Sequence, residues 1–317
     1  MMDKNIYQPT LIQKSAIPVI IAKKEYDLMG PFLLPIIDEL CKLKFKRALP
    51  SIGPFALIVA PTRELAQQLG DAAKAYTRDL SLNVVTTYGE TSVHDAIREI
   101  RRGSDILVAT PGRLKQFINE KILNVSTVRW LILDEADKLL QDQFSKDIAL
   151  LKETLAELNP NHRTFMFSAT FDRNIQYLAE RLLNPNFFYV SVGSENIISE
   201  TVQQNFVEAK GFKKVEILHT VLMAYSRGSD TDSRGLEWDR LSLRGIKTMC
   251  TNGDRTQQQR QEAIDLFEKG EVDVLVSTNV TARGLNILGV THISQVSFIT
   301  KINSDLSVIS SITAATK

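Results

Sequence analysis

The sequence predicts an α/β protein, and three observations carry that prediction. Short runs rich in apolar and β-branched residues recur along the chain, amphipathic stretches separate them, and polar residues gather directly after the runs. In order, the first runs are FALIVAP (55–61), NVVTTYG (83–89), DILVATP (105–111), VRWLILDEAD (128–137), RTFMFSAT (163–170) and FFYVSVG (187–193). Continuous apolar strands of this kind belong to a parallel sheet covered on both faces. TRELAQQLGDAAKAYTRDL (62–80) and DRNIQYLAERLLN (172–184) supply covering helices between them. In open sheets of this type ligands gather at the carboxyl ends of strands. The polar clusters here follow LIVA, LVA, LIL and FMF, at just those ends.

The polar segment GSENIISETVQQN (193–205) reads as a linker, dividing the chain into 1–192, 193–205 and 206–317. A smaller α/β unit follows, with IKTMCTNGD (246–254), VDVLVSTNV (272–280) and VTHISQVSF (290–298) as its strands. SRGSDTDSRG (226–235) has the composition of a flexible loop, ahead of a WDRLSLRG helix. A length of 317 residues accommodates two compact domains. With 44 % apolar and 24 % charged residues, the balance is that of a soluble globular protein. The 38 Lys and Arg residues against 37 Asp and Glu leave no long-range attraction for a polyanion. A nucleic acid would therefore be held by local patches. Cys41 and Cys250 are far apart and the four histidines are scattered, so neither a disulfide framework nor a zinc site is expected. MMDKNIYQPT lacks a signal pattern, and no apolar run approaches the ~20 residues of a membrane span. The expected compartment is intracellular and reducing: the cytoplasm, with perinuclear granules or the nucleus left open.

The sharpest chemical signal is LILDEADKLL, in which an apolar strand delivers Asp134 and Glu135 to its carboxyl end. Paired acids there suit a magnesium ion and an attacking water, but acids also favour a plain helix N-terminus. The context decides. QPTLIQKSAIP (8–18), APTRELAQQ (60–68), ATPGRL (109–114), FSAT (167–170), NGDRTQQQR (252–260) and STNVTARGLNI (277–287) stand in order around it. Together this series resembles the DEAD-box ATP-dependent RNA helicases, with the character of the Vasa-like branch, over nearly the whole chain. The resemblance implies two RecA-like lobes with parallel sheets: an ATP-binding lobe over 1–192 and a truncated C-terminal lobe over 206–317. The second lobe is incomplete. It implies ATP and Mg²⁺ as cofactors, RNA held largely without regard to sequence, and ribonucleoprotein partners.

Residue by residue, the resemblance places Pro9, Thr10 and Gln13 at the adenine, where an amide offers both donor and acceptor. Asp134 takes the magnesium through water, Glu135 the attacking water, and Asp137 pairs with Ser168 or Thr170 to couple nucleotide to RNA. Pro61, Thr62, Arg63, Gly89, Thr110, Pro111, Gly112 and Arg113 fall where the family grips the RNA backbone. Small residues and helix N-termini present N–H groups to phosphates, and Arg adds charge-assisted contacts. Gly253, Asp254 and Thr278 extend the RNA set into the second lobe, and Arg283 and Asn286 fall on the nucleotide.

The pattern breaks at EYDLMGPFLLPII (25–37). In the family the DLM and FLLP flanks are separated by a Gly-rich loop ending in Lys and Thr; here they join directly. No stretch of the chain fits G-x-x-x-x-G-K-[ST]. The amides, ammonium and hydroxyl that hold a triphosphate and its Mg²⁺ are missing, and the flanking strand and helix are expected to be shortened. Asn279 and Asn286 replace family Asp residues, a strand is lacking between LMAYS and WDRLSLRG, and SVISSITAATK carries no H-R-I-G-R-x-G-R. Loss of such an arginine finger typically lowers turnover by about 10³–10⁵. The expected function is therefore that of an RNA helicase relative impaired in catalysis. Three readings stay open: an active helicase, a non-catalytic RNA- or partner-binding pseudo-helicase, and a splice or gene-model product.

Overall fold

The computed structural model of the chain describes residues 26–27, 32–45, 53–140, 144–184, 187–191, 203, 205, 217, 247–252, 255–278, 287, 290–302 and 305–316. The chain forms two compact units, Met1–Glu200 and Thr201–Lys317. The loop expected at 226–235 and its neighbouring helix lie outside the described residues.

In the first unit β1 (Tyr26–Asp27) leads into α1 (Leu33–Phe45) and β2 (Ala56–Val59) into α2 (Arg63–Thr77). Then come β3 (Val84–Thr87), α3 (Val93–Arg101), β4 (Ile106–Ala109), α4 (Pro111–Asn119) and β5 (Trp130–Leu133). A single turn α5 (Ala136–Leu139), α6 (Ser145–Leu158), β6 (Arg163–Met166), α7 (Arg173–Leu182) and β7 (Phe188–Tyr189) complete it. The strands form one seven-stranded sheet in the order β3-β4-β2-β5-β6-β1-β7, and every pairing is parallel. All carboxyl ends therefore open on one rim. Of the described residues in the segment expected as a strand at 187–193, Phe188–Tyr189 form β7.

Alternation along the strands fills both faces. Ala56 and Ile58 share one cluster with Ile132, Phe165, α1 and α2; Leu57 and Val59 point into the other, with Leu133 and helices α3, α4, α6 and α7. The central strands β2, β4 and β5 are buried at every position, which is why their sequences read as unbroken apolar runs.

Helix α1 survives the short junction, running 13 residues from Leu33. The Ile36 N–H donates to the Phe32 carbonyl at 3.3 Å. Pro35 sits in the first turn, where its missing N–H would have had no intrahelical partner. Phe32, Leu33, Ile36, Ile37 and Leu40 are all buried. At about 1.5–3 kcal/mol for each such side chain, this face holds the helix to the sheet without help from the loop before it. The expected damage is thus confined to the strand, which keeps two residues beside β6 and β7.

The second unit holds β8 (Thr248–Thr251), α8 (Gln257–Glu268), β9 (Val274–Thr278), β10 (His292–Ile302) and β11 (Asp305–Thr316). Its sheet runs β10-β11-β9-β8, with β8 and β9 parallel. β10 and β11 form an antiparallel hairpin, and β11 lies antiparallel to β9. The stretch ending SVISSITAATK, for which no strand was expected, is therefore a 12-residue strand. Its Val, Ile and Thr content suits one. Helix α8 is started by a capping box between Thr256 and Gln259.

Gly70 in α2 lies close against β3. A Cβ there would overlap the Thr86 hydroxyl and lie 3.0 Å from the Thr86 Cβ. Helix propensity alone favours Gly70→Ala by about 0.5–1 kcal/mol. Overpacking against a β-branched strand residue costs about 1–3 kcal/mol and wins. Urea denaturation of Gly70→Ala is expected to show a net loss of stability, with recovery when Thr86 is also cut to Ala. A stabilised single variant would contradict the packing described.

Candidate functional site

The rim of the first sheet brings the sequence motifs together in strand order. Tyr88 to Thr91 follow β3, Thr110 to Arg113 follow β4 and Pro61 to Arg63 follow β2. Asp134 to Asp137 then follow β5 and Ser168 to Thr170 follow β6. Five non-adjacent sequence segments become neighbours because the strands that carry them are parallel and contiguous.

On the β5 side, the Asp134 N–H continues the ladder to Val59 O at 3.0 Å, and the Ala136 N–H donates to Phe167 O at 2.8 Å. Between these anchors Glu135 takes a left-handed conformation, φ 49°. A side chain so placed is strained by about 1–3 kcal/mol, a cost typical of functional sites. The Glu135 N–H donates to Asp134 Oδ1 at 3.0 Å, and Glu135 Oε2 pairs with Lys138 Nζ at 2.7 Å. Burial pushes the Asp134 carboxyl up from its ordinary 3.8 to about 6; the Glu135 N–H opposes this, the Glu135 and Asp137 carboxylates add to it, and Lys138 works against it. Asp137 accepts from the Thr170 hydroxyl at 3.4 Å through Oδ2, while its Oδ1 is buried without a hydrogen-bond partner. Ser168 turns elsewhere, its hydroxyl donating to Thr170 O at 2.7 Å. Of the two partners expected for Asp137, the geometry joins Thr170.

The neighbouring strand β1 should border an anion cradle. Only Leu28 to Phe32 separate it from α1, five residues against the eight of G-x-x-x-x-G-K-[ST]. Phe32, 2 % exposed, fills the start of the helix, its ring 4.8 Å from that of Phe167. An apolar side chain thus stands at the start of α1, and Pro35 offers no N–H in its first turn. The junction contains neither the Lys nor the Ser or Thr of G-x-x-x-x-G-K-[ST]. Asp134 has the oxygen chemistry Mg²⁺ prefers, but that ion is normally held by one or two carboxylates together with substrate phosphates. Among the described residues no group of three or more His, Cys, Asp or Glu side chains could hold a metal.

On the β3-β4-β2 side, two helix N-termini point to the same rim. Thr62 caps α2, accepting the Leu65 N–H at 3.2 Å. Thr110 caps α4 without a side-chain bond, followed by Pro111 and by Gly112, which is exposed with open space where a Cβ would stand. Arg63 is half-buried and pairs with Glu90 at 2.6 Å. Arg113, expected at the RNA backbone, is largely buried. It is 8 % exposed, donates from Nη2 to Thr91 O at 3.1 Å and lies over the Phe117 ring at 5.4 Å. Burial pulls its pKa below the usual arginine value, Glu120 opposes that, and the like charge of Arg63 reinforces it. Arg113 therefore braces the turn after β3, its guanidinium held between Thr91 O and the Phe117 ring.

Pro9, Thr10, Gln13, Gly253, Asp254, Arg283 and Asn286 lie outside the described residues, and Thr278 ends β9. Sequence reasoning missed Glu90 and Lys138. The i,i+3 spacing to Glu135 could have revealed Lys138, whereas Glu90 is adjacent to Arg63 only in space. Among the described residues no helix is long and apolar enough to cross a membrane.

The chain matches the DEAD/DEAH box helicase family over residues 10–178 and the helicase conserved C-terminal domain over residues 213–309. It is 34 % identical over 308 residues to the ATP-dependent RNA helicase vasa of Drosophila melanogaster, covering 92 % of this chain and 46 % of vasa. The chain thus spans about half the length of that relative. Among solved structures, the yeast DEAD-box splicing factor Prp28 superposes with TM-score 0.55 at 26 % identity, over 90 % of this chain and 70 % of that one. Mss116p, solved bound to ssRNA and AMP-PNP, superposes with TM-score 0.75 at 24 % identity, over 90 % of this chain and 64 % of that one.

The raised Asp134 pKa has a stability consequence in metal-free buffer. The folded carboxyl binds its proton more tightly than the unfolded one, so stability falls as pH rises from about 4 to 6 and stays lower above. Asp134→Asn keeps an acceptor for the Glu135 N–H and is expected to stabilise the protein at pH ~7.5 by about 2–3 kcal/mol. Denaturant titrations across pH should show that gain vanishing toward pH ~4. A variant less stable at neutral pH would contradict the assignment.

Proposed function

We propose, for a chain that belongs to the DEAD-box RNA helicase family, that it is a non-catalytic member holding single-stranded RNA by its backbone without a nucleotide cycle. One observation carries the loss of catalysis: Phe32 is packed against Phe167 at the end of a five-residue junction. Glu135 can orient a water only against a phosphate that something else positions, and Leu28 to Phe32 include no Lys, Ser or Thr side chain to do so. Asp134, Glu135, Asp137 and Thr170 then remain as an inherited acidic cluster, without ATP or Mg²⁺ as working cofactors.

The RNA half of the proposal is supported by Thr62, Arg63, Thr110 and Gly112 on adjoining strand ends. Backbone N–H groups, a hydroxyl and one guanidinium suit phosphodiester oxygens and ignore base identity. Gly89 and Arg113 serve this half by positioning: Gly89 leaves room for the Arg63 guanidinium, and Arg113 holds the Thr91 carbonyl. Ribonucleoprotein particles in the cytoplasm, about the nucleus or within it are the setting this reading proposes.

Two measurements test it. RNA-stimulated phosphate release by the purified chain is expected to stay at the level of Glu135→Gln; turnover above that level, lost in Glu135→Gln, would show a working site. In anisotropy titrations without nucleotide, Arg63→Ala is expected to weaken binding to oligouridylate and oligoadenylate alike. Its salt slope should be shallower by about 0.7, as for one lost phosphate contact on a single strand. Unchanged affinity and slope would remove Arg63 from the interface.

A further inference from the structure

Arg63 does not meet solvent bare. Its Nη1 lies 2.6 Å from Oε1 of Glu90, with the two side chains 29 % and 51 % exposed. Glu90 stands at the tip of the turn after β3 with φ 72°, in the left-handed region that non-glycine residues seldom adopt. The turn is held from both sides. The Thr91 hydroxyl donates to Tyr88 O at 2.7 Å, and Arg113 Nη2 donates to Thr91 O at 3.1 Å. Gly89 lets the Arg63 guanidinium lie against the turn, since a Cβ there would come within 3.2 Å of Nη2 and 3.3 Å of Nε. The carboxylate is thus presented to Arg63 by a braced loop and is not a chance partner on a loose side chain.

A carboxylate and a phosphodiester compete for the same groups, the paired N–H donors of a guanidinium. We propose that Glu90 occupies the phosphate seat of Arg63, so that an RNA phosphate binds there only by displacing it, and Glu90 thereby sets the affinity of the site. This inference rests on the reading of Arg63 as an RNA contact. The pair is half-exposed, so it biases Arg63 toward the occupied state by no more than about fivefold. The device is therefore a threshold and not a block. It favours RNA that engages the neighbouring Thr62 and Gly112 amides at the same time, since contacts made together offset the displacement.

The test uses the full chain and a fluorescein-labelled single-stranded oligouridylate, with the parent, Glu90→Gln, Arg63→Ala and the double variant, each shown to be folded by circular dichroism. Glu90→Gln is expected to bind about three- to fivefold more tightly than the parent, within the bias just given. Arg63→Ala should bind more weakly, and the Glu90→Gln gain should disappear in the Arg63→Ala background. Glu90→Gly, which suits a positive φ, should reproduce the gain and serves if Glu90→Gln fails to fold. A gain that persists undiminished without Arg63 would mean that Glu90 acts only as distant charge, and would overturn the proposal. So would a Glu90→Gln protein that binds no better than the parent while Arg63→Ala still loses affinity. Unchanged binding in Arg63→Ala would instead overturn the RNA reading on which the inference stands.

Discussion

A triphosphate is held only by donors already in place when it arrives, because its charge must be met in a site that excludes water. Between Asp27 and Leu33 this chain has five residues, one of them glycine and none of them lysine, serine or threonine. The constraint is one of length before it is one of chemistry. Helix α1 begins where its apolar face can reach the sheet, and Phe32 closes the gap against Phe167. Ile36, Ile37 and Leu40 keep their places in the core, and the helix needs nothing from the junction to stay docked.

The acidic part of the rim has features typical of catalytic sites. Glu135 remains in a left-handed turn, Asp134 remains buried enough to resist ionisation, and Asp137 keeps an oxygen without a donor. In a working enzyme a cation and phosphates would offset such costs. The opposite half of the rim bears its own costs, Glu90 in a left-handed turn and Arg113 buried. Its helix N-termini and its arginine are complete within Thr62 to Arg63, Tyr88 to Thr91 and Thr110 to Arg113.

Much of this was legible in the sequence, and for identifiable reasons. FALIVAP, DILVATP and VRWLILDEAD announced central strands because burial on both faces leaves no polar position to confuse the period. The acid pair was legible because it directly follows such a strand. Three things were not. The direction of the Arg113 side chain depends on where α4 sits against the turn after β3, which no local pattern records. The Glu90–Arg63 pair joins residues 27 positions apart, carried by strands β3 and β2 on either side of β4. The β10–β11 hairpin hid in a stretch whose Ser and Ala residues weaken an otherwise β-rich composition. In each case the missing information is tertiary.

Isothermal titration calorimetry of the purified chain with a non-hydrolysable ATP analogue and Mg²⁺ tests the central claim most directly, since it asks whether the triphosphate is held at all. The account predicts heats no larger than dilution, with or without single-stranded RNA present. A saturable isotherm that requires Mg²⁺ and is lost in Asp134→Asn would contradict it, because some part of the chain would then be clasping the phosphates that Leu28 to Phe32 cannot.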